Sequence, residues 1–295
     1  MTPFLYASLR PYIKVAAAWI FSVFPFGKAV YHFVQRHVTR TVPRSESVGQ
    51  EALKVYSANE RLLHKYLGTR DTRTFEFGAG WDLLNPLMMA RMGYTRQVVV
   101  DIERHLDLPS LSLARDWVNA LALDAEPLPS VKHVEAILTD LGIEYLAPMD
   151  ARCTGLASAS IDGATSAHTL EHLRPADLDA ILLELFRVVR SGGVVVMHAS
   201  MGDHYMSARP FSFYQASERV WRLWNPPLHY QNRLRSSDFV RAFSEAGFIH
   251  LETLTTDIRP VDELPPRLSG RFSCPTPYSL EDLLTVHAHF AFRRP

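Results

Sequence analysis

Through most of the chain, short runs of residues typical of buried strands alternate with longer segments in which apolar residues have helical spacing. Five runs with β-strand character stand at residues 74–77, 97–101, 143–147, 161–166 and 194–198. Between them, apolar residues recur every three or four positions, most clearly over residues 176–190. Strands that alternate with helices form a parallel sheet covered by helices. With two more alternating runs, 248–255 and 284–292, the pattern predicts an α/β fold with a seven-stranded, mostly parallel sheet.

Capping residues and segment lengths predict helices between these strands. Ser57 followed by Glu60 is a capping-box pattern, so a helix is predicted over residues 57–66. Residues 211–224 predict a single helix rich in aromatic side chains. Residues 103–142 are long for a connection between adjacent strands. They are interpreted as an insertion that contains two helices.

The first 50 residues are predicted to form a helical arm, followed by one domain over residues 51–295. Residues 15–26 are apolar and aromatic, but a membrane-spanning helix needs about 20 such residues. No signal-peptide cleavage pattern follows this run. Residues 28–40 have an amphipathic, basic pattern that is suited to an anionic membrane surface. Peripheral membrane contact through residues 1–40 and packing on the domain, where the arm would cover the pocket, both stay open.

Composition excludes some classes of protein. The chain has 295 residues with 31 basic and 31 acidic side chains, so it lacks the basic excess of nucleic-acid-binding proteins. Its two cysteines, Cys153 and Cys274, form neither a disulfide framework nor a zinc motif. We therefore expect a cytoplasmic location, with membrane association as the open addition. The 13 histidines are interpreted as scattered, apart from His168 and His172.

A glycine turn follows the first predicted strand. Gly78 and Gly80 tolerate positive φ and leave the backbone open to a ligand. The helix that comes next presents free N–H groups at its first turn. Together these features predict a nucleotide-type site at the carboxyl end of the sheet. The dinucleotide pattern G-x-G-x-x-G would require a third glycine where Leu83 stands, so that fingerprint fails.

The turn instead resembles motif I of class I S-adenosylmethionine-dependent methyltransferases, written E-x-G-x-G-x-G. Glu76, Gly78 and Gly80 match this motif, and Asp82 replaces its last glycine. A second segment resembles the same family further along the chain. The letters H-T-L-E-H from His168 follow a strand of small residues, and a helix and a Ser-Gly-Gly sequence come next.

The resemblance implies a Rossmann-like fold, S-adenosylmethionine as the cofactor and methyl transfer as the activity. It assigns the methionine part of the cofactor to Glu76, Gly78 and Gly80. Asp101, at the end of the second strand, would accept hydrogen bonds from the ribose hydroxyls.

The remaining cofactor contacts follow from the same resemblance. Asp150 would accept a hydrogen bond from the adenine amino group, with the backbone of Ala151 beside it. Ser166 would form the edge of the site. His168 would lie near the transferred methyl group, where a neutral imidazole can take a proton from a substrate hydroxyl. No metal is expected on this interpretation.

Two alternatives stay open. The letters H-T-L-E-H also fit a zinc-hydrolase pattern in which His168 and His172 share a metal on one helix. That hypothesis leaves Asp101 and Asp150 unexplained. A non-catalytic cofactor-binding or scaffold protein on the same fold is the other alternative.

The acceptor is predicted to be a small molecule, a sugar or a lipid-linked glycan, methylated on oxygen. Residues 200–235 are expected on the substrate side, because they follow the fifth strand. His204, Tyr205 and Arg233 are the candidate substrate contacts there, the last for a carboxylate or phosphate. Nucleic acid is not expected as a partner, and the oligomeric state is open.

Overall fold

The computed structural model describes residues 3–206, 209–265 and 278–295, with side chains described from residue 12 onward. Its centre is one seven-stranded sheet in the order β3-β2-β1-β4-β5-β7-β6. The strands are β1 Arg73–Phe77, β2 Arg96–Val100, β3 Ile143–Leu146, β4 Ile161–Ala167, β5 Val189–Ser200, β6 Ile249–Ile258 and β7 Thr285–Arg293. Neighbours among β1 to β5 pair in parallel, and β7 runs antiparallel to β5 and β6. The predicted fold class is confirmed.

Helices cover both faces of this sheet. In chain order they are α1 Pro3–Val23, α2 Gly27–His37, α3 Glu46–Leu67, α4 Leu84–Arg91, α5 Leu108–Asn119, α6 Val134–Asp140, α7 Pro175–Val188, α8 Glu218–Trp224, α9 Ser236–Glu245 and α10 Leu280–Leu284. Side chains alternate between the two faces along β2. Val98 and Val100 join the core beneath α7 and α9, while Val99 joins the core beneath α3, α4 and α5.

Two helix predictions were wrong. Ser57 does not begin a helix, because α3 begins eleven residues earlier, at Glu46, and Ser57 lies inside it with its hydroxyl toward Met88 Sδ. Residues 211–224 do not form one helix either. Ser217 caps the short helix α8 by accepting from Val220 N, so the chain is divided at this point. Cys274 lies outside the described residues.

The arm consists of α1 and α2, which lie against the carboxyl-end loops of the sheet. Trp19 Nε1 in α1 donates to Leu223 O, and Ser22 Oγ accepts from Leu228 N. Tyr31 and His229 hydrogen-bond to each other and anchor α2. Of the residues described, none belongs to a helix with the length and apolar content to cross a membrane.

Candidate active site

The glycine turn adopts the backbone conformation that its sequence predicts. Gly78 and Gly80 have φ values of 73° and 72°. Gly78 N donates to Val100 O at 3.0 Å, which fixes the turn to the neighbouring strand β2. A Cβ at Gly78 would stand 2.3 Å from Thr169 Oγ1, whereas a Cβ at Gly80 would meet only Arg44 Nη2, at 3.8 Å. Gly78 is therefore required by protein packing, and Gly80 leaves space that is open to a ligand.

Glu76 is buried at the end of β1. Its Oε2 accepts a hydrogen bond of 2.7 Å from Asn85 Nδ2, in the first turn of α4. Burial raises the pKa of Glu76 to about 8. The sequence did not single out Asn85, although its place at the start of the helix after the glycine turn is a usable signal. A carboxyl group in this position helps to hold α4 against the turn.

Asp101 connects the turn after β1 with the loop after β2. One carboxylate oxygen accepts from Gly80 N at 3.0 Å, and the other accepts from Glu103 N at 3.1 Å. Its backbone oxygen accepts from Met149 N at 2.7 Å, which brings the loop after β3 alongside. Burial raises the pKa of Asp101. The carboxylate therefore holds the glycine turn in its shape, and Asp101 is not in the lining of the cavity described below.

Asp150 lies further along the same edge of the sheet and is more exposed. Arg152 donates to both of its carboxylate oxygens, and the hydrogen bonds from Arg152 lower the pKa of Asp150. Arg152 also bonds to Asp177 at the start of α7. Ala151, the next residue after Asp150, packs at the margin of the core. Asp150 therefore already has a cationic partner.

Ser166 was predicted at the edge of the site, but the structure places it in the interior. It is fully buried, and its hydroxyl donates to Phe77 O at 2.8 Å, joining β4 to β1. The residues that reach the open cavity are the next two, Ala167 and His168. His168 has a φ of 55°, so the chain turns sharply there and directs the imidazole into the cavity.

An ion pair that the sequence did not reveal lies beside the glycine turn. Arg44, in the connection before α3, pairs with Asp82 at 2.7 Å, and Asp82 also accepts from Leu84 N. Burial opposes the charge on Arg44, but Tyr56 and Asp82 outweigh it and raise the pKa of the guanidinium. Asp82, the departure from the family motif, is thus buried and paired. Because Arg44 also lines the cavity next to Gly80, it offers a cation at the methionine end of the predicted site.

The cavity has a volume of about 950 Å³ and begins at this turn. Gly78, Gly80 and Trp81 line one end, and Arg44 and the exposed side of α3 line another. The third side is formed by His168, which directly follows β4, and by His287 and His289 of β7. Of the predicted cofactor residues, Gly78 and Gly80 are in this lining.

The histidines are less scattered than predicted, because the sheet topology gathers four of them. His198 on β5 is directly opposite His289 on β7 in the antiparallel register. Ring centroids are 4.4 Å apart between His168 and His198 and 4.8 Å between His198 and His289, while His287 Nδ1 is 3.2 Å from His198 Nε2. Burial lowers the pKa of every member of this histidine cluster, that of His168 to about 3 and that of His289 to about 4. The signal in the sequence was the H-x-H spacing of β7, which puts both rings on one face.

Glu171 lies beneath His168 and is almost fully buried. Its Oε1 is 3.8 Å from His168 Nδ1 and accepts from Ser200 N at 3.3 Å. Oε2 has no hydrogen-bond partner among the described residues. Burial raises the pKa of Glu171 to about 8, so this carboxyl group is largely neutral at pH 7. His168, His287 and His289 therefore present uncharged imidazoles to one side of the cavity, with His198 and Glu171 buried out of its lining.

His168 and His172 do not form the pair that the zinc-hydrolase hypothesis requires. His168 precedes a short 3₁₀ turn, Leu170–His172, and His172 is the last residue of that turn, so the two do not share one face of an α-helix. His172 points away from the histidine cluster, with Nδ1 2.8 Å from Tyr230 O and its ring 5.2 Å from that of His204. The structure therefore does not have the geometry that the zinc-hydrolase hypothesis requires.

The three candidate substrate contacts lie outside the cavity lining. His204 Nε2 is 3.2 Å from Ser200 Oγ, behind the histidine cluster. Tyr205 is buried against Trp221, and its hydroxyl donates to His229 O. Arg233 pairs with Glu218 and donates to two backbone oxygens, those of Phe213 and Ala216. Tyr205 and Arg233 therefore have structural roles instead of the predicted substrate contacts. Their polar groups already hydrogen-bond or pair with other residues of the segment 200–235.

The arm covers the β2 side of the site. The ring of Trp81, next to Gly80, stacks on His105 at 4.1 Å, and His32 of α2 meets both rings edge-on. The nitrogens of His32 and His105 and a carboxylate oxygen of Glu103 lie within 4.8 Å of one another, a spacing that suits a metal ion. Lys28 already pairs with that carboxylate. In the structure the arm packs on the domain, which is one of the two alternatives that the sequence left open.

Comparison with known proteins now identifies the domain. Residues 76–197 match the family model described as a methyltransferase domain. Residues 76–197 therefore carry a methyltransferase domain. This confirms the resemblance drawn from motif I and from H-T-L-E-H, and the enzyme class that it implied. A search of curated protein sequences finds no significant match.

Solved structures share the fold of this methyltransferase at low sequence identity. The PH0226 protein from Pyrococcus horikoshii OT3 is 14% identical with a TM-score of 0.51, and the alignment covers 90% of this chain and 99% of that one. Geranyl diphosphate C-methyltransferase from Streptomyces coelicolor A3(2) is 13% identical with a TM-score of 0.48 over 86% of each chain. A methyltransferase from Methanosarcina mazei is 13% identical with a TM-score of 0.49, over 79% of this chain and 96% of the other.

Proposed function

We propose that this methyltransferase methylates a hydroxyl oxygen of a small molecule, a sugar or a lipid-linked glycan. The observation that carries the proposal is the cavity that runs from Gly80 to His168, His287 and His289. Neutral imidazoles exchange hydrogen bonds with hydroxyl groups and do not favour a charged acceptor. An uncharged, polar wall beside the glycine turn therefore suits a hydroxylated substrate.

The residues beside the glycine turn fit the amino-acid end of S-adenosylmethionine. The missing Cβ of Gly80 leaves room for a ligand against the backbone, and Arg44 adjoins that room. Asp82 accepts from Nε and Nη2 of Arg44, and the remaining N–H groups of the guanidinium are suited to a second carboxylate. We assign Arg44 to the methionine carboxylate, in addition to Glu76, Gly78 and Gly80.

Asp101 would bind the ribose, as the motif predicts. Its carboxylate already accepts one backbone hydrogen bond per oxygen, which leaves one lone pair on each oxygen for a ribose hydroxyl. Asp150 and the backbone of Ala151 are kept for the adenine. For Asp150 this requires that the carboxylate accept the adenine amino group alongside Arg152. Ser166 contributes through the β1–β4 connection, because its hydroxyl is bonded to Phe77 O.

Bound S-adenosylmethionine supplies an electrophilic methyl group on a sulfonium. His168 is assigned to orient the acceptor hydroxyl by accepting its hydrogen bond. As the oxygen is methylated, its proton would pass to the imidazole of His168. Burial lowers the pKa of His168 to about 3, so the ring is unprotonated at neutral pH and would take the proton only once methylation has made the oxygen acidic. Alignment of the two reacting groups in the cavity would supply most of the acceleration.

A cofactor-binding protein without turnover is the second candidate. The observation in its favour is the arm, which covers the β2 side of the site through His32, Trp81 and His105. Such a protein would bind the cofactor and form no S-adenosylhomocysteine with any acceptor. Turnover is therefore the property that separates the two candidates.

Calorimetric titration with S-adenosylmethionine and S-adenosylhomocysteine tests the site. We expect Asp101→Ala to weaken binding by about tenfold or more, since it removes both the ribose contact and the hydrogen bond from Gly80. Asp116→Ala, an exposed aspartate on α5, is the matched control and should bind like the wild type. Equal binding by both variants would remove Asp101 from the site.

Turnover tests the acceptor class. S-adenosylhomocysteine formation is measured with hydroxylated small molecules, free sugars and polyprenol-linked sugars, and with amines of similar size as the comparison set. Product with a hydroxylated compound alone supports the proposal. Methylation of the amines alone, or cofactor binding without product across the set, contradicts it.

A further inference from the structure

Helix α2 directs its polar stripe toward the protein. Lys28, His32 and Arg36 are spaced by four residues, so they share one face of the helix. Lys28 pairs with Glu103, and Arg36 pairs with Asp107. His32 contacts Trp81 and His105 between them. The basic groups of this helix therefore dock on the loop after β2, at the mouth of the active site.

The apolar stripe of the same helix faces solvent. Phe26, Val30 and Phe33 follow the helical repeat on the other side, and they are 85%, 47% and 60% exposed. A helix packed on a globular domain normally shows the reverse arrangement, with apolar residues inward and charges outward. Nothing in the described part of the chain covers this stripe.

The turn between α1 and α2 extends the same surface. Phe24 is exposed there, and Ile20 and Val23 are exposed in the last turn of α1. Together with Phe26, Val30 and Phe33 they are the large apolar residues exposed between positions 20 and 33, here named the arm surface. An exposed apolar area that is concentrated on one element marks a site of interaction.

Charge distinguishes the arm from the remainder of the molecule. No Asp or Glu precedes Glu46, and six basic residues do, namely Arg10, Lys14, Lys28, Arg36, Arg40 and Arg44. Since the whole chain has equal numbers of acidic and basic residues, the excess of acids lies after the arm. Three of them, Lys28, Arg36 and Arg44, pair with carboxylates of the domain, whereas Arg40 is exposed just after α2. The arm is therefore an apolar segment with a net positive charge, part of which its ion pairs offset.

We propose that the arm surface docks on an anionic lipid bilayer, with Phe24, Phe26 and Phe33 entering the headgroup region. Aromatic and aliphatic side chains gain by burial in that region, and an exposed basic side chain such as Arg40 adds to the attraction to an anionic surface. A second copy of the chain suits this surface less well. A twofold contact would place two arms face to face, each basic and without a carboxylate. The inference is independent of methyl transfer.

Docking in this way would bring the active site to the membrane. The inward side of α2 contacts Trp81, which lines the cavity next to the glycine turn. The cavity would then open close to the headgroups, where the sugar of a lipid-linked acceptor lies. This geometry is the reason to include polyprenol-linked sugars in the turnover assay.

Flotation of the purified chain with vesicles tests the proposal. One vesicle type contains phosphatidylcholine with about a third phosphatidylglycerol, and the other contains phosphatidylcholine alone. We expect flotation with the anionic vesicles, weakened by salt because screening reduces the charge attraction. The double variant Phe26→Ser/Phe33→Ser should partition at least tenfold less, since each buried phenylalanine contributes about that factor or more.

A matched control distinguishes binding through the arm surface from nonspecific hydrophobic adsorption. Leu183→Ser and Ile249→Ser remove apolar groups that are 64% and 52% exposed on α7 and β6. This control should float like the wild type, and both double variants should keep the thermal midpoint of the wild type. Absent flotation, or equal loss in the two double variants, overturns the proposal. Sedimentation that shows a dimer abolished by Phe26→Ser/Phe33→Ser, without vesicle binding, would assign the surface to a second copy and also overturn it.

Discussion

Arg44 and Asp82 form a largely buried ion pair, with 2.7 Å between the arginine Nε and a carboxylate oxygen. The pair joins the connection before α3 to the turn that carries Gly78 and Gly80. Asp82 occupies the position where the family motif has its last glycine. In this chain an ion pair therefore stands at the position where the family motif has a conformationally free glycine. Whatever moves Arg44 also moves one wall of the cavity.

Restoring the motif glycine should harm this protein. Asp82→Gly leaves the guanidinium of Arg44 without its carboxylate, and removal of one partner from a buried pair is costly. Because Arg44 is still partly exposed, we expect a loss of about 2 to 3 kcal/mol in the free energy of unfolding. Chemical denaturation measures this difference. The double variant Arg44→Met/Asp82→Leu, which leaves neither charge, should be more stable than Asp82→Gly; the opposite order would show that the pair has little influence.

The two glycines of the turn should respond differently to alanine. Both have nearly the same positive φ, so the conformational cost of a Cβ is similar, about 1 kcal/mol. At Gly78 the new Cβ would also collide with Thr169, which adds about 1 to 3 kcal/mol. Thermal unfolding should therefore rank Gly78→Ala clearly below Gly80→Ala. Titration with S-adenosylmethionine should show a cofactor defect in the more stable variant, Gly80→Ala. Equal thermal midpoints would contradict the packing argument.

His168→Asn should lower turnover while cofactor affinity stays within about twofold. Asparagine tolerates the positive φ of this position, so the backbone is kept while the imidazole is removed. Loss of a general base costs typically about 10² to 10⁴ in rate. Steady-state kinetics with the acceptor from the turnover screen measures this, and His172→Asn, whose ring faces Tyr230, serves as the control.

The pH dependence of turnover carries a separate prediction about the same residue. Because the pKa of His168 is lowered to about 3, its accepting form persists well below the usual histidine range. We expect kcat to show no decline between pH 7.5 and pH 5.5 from protonation of this ring. A tenfold fall for each pH unit below 6.5 would mean that an ordinary histidine limits the reaction.

Stability should fall as the pH rises through neutrality toward 8. Burial raises the pKa of Glu76 and of Glu171 to about 8, well above the value for an unfolded chain. Each group therefore stabilises the fold fully only below its unfolded pKa, and this contribution is lost as the pH approaches 8. Linkage gives about 1.4 kcal/mol per pH unit for each group. Glu171→Gln should roughly halve the decrease measured by denaturation between pH 6.5 and pH 7.5.

Below about pH 6.5 the buried histidines should determine how stability changes with pH. A histidine whose pKa is lowered in the folded state loses stability as the pH falls below its unfolded value of about 6.5. His198→Asn removes one such group from the buried cluster, so it should flatten the decrease in stability between pH 6.5 and pH 5. An unchanged slope would indicate that His198 is not buried neutral in solution.

The sequence alone determined the sheet and the position of the glycine turn. Buried strands such as β1 and β2 are short runs of β-branched and aromatic residues between helices, and that pattern is local. Gly78 and Gly80 were identifiable because only glycine adopts their φ at no steric cost. The same local signals failed at Ser57, where a capping pattern lies inside α3, because packing along the full helix outweighs a single cap.

The tertiary structure decided which side chains share the site. His198 and His289 are 91 positions apart, and only the antiparallel register of β5 and β7 brings their rings together. Arg44 was one polar residue in a predicted connection until its partner, Asp82, was known. The sequence also did not reveal that α2 turns its polar face toward the protein. An amphipathic pattern shows that a helix has two faces, but it does not show which face packs on the protein. Contacts between distant segments depend on chain topology, and a linear pattern does not record it.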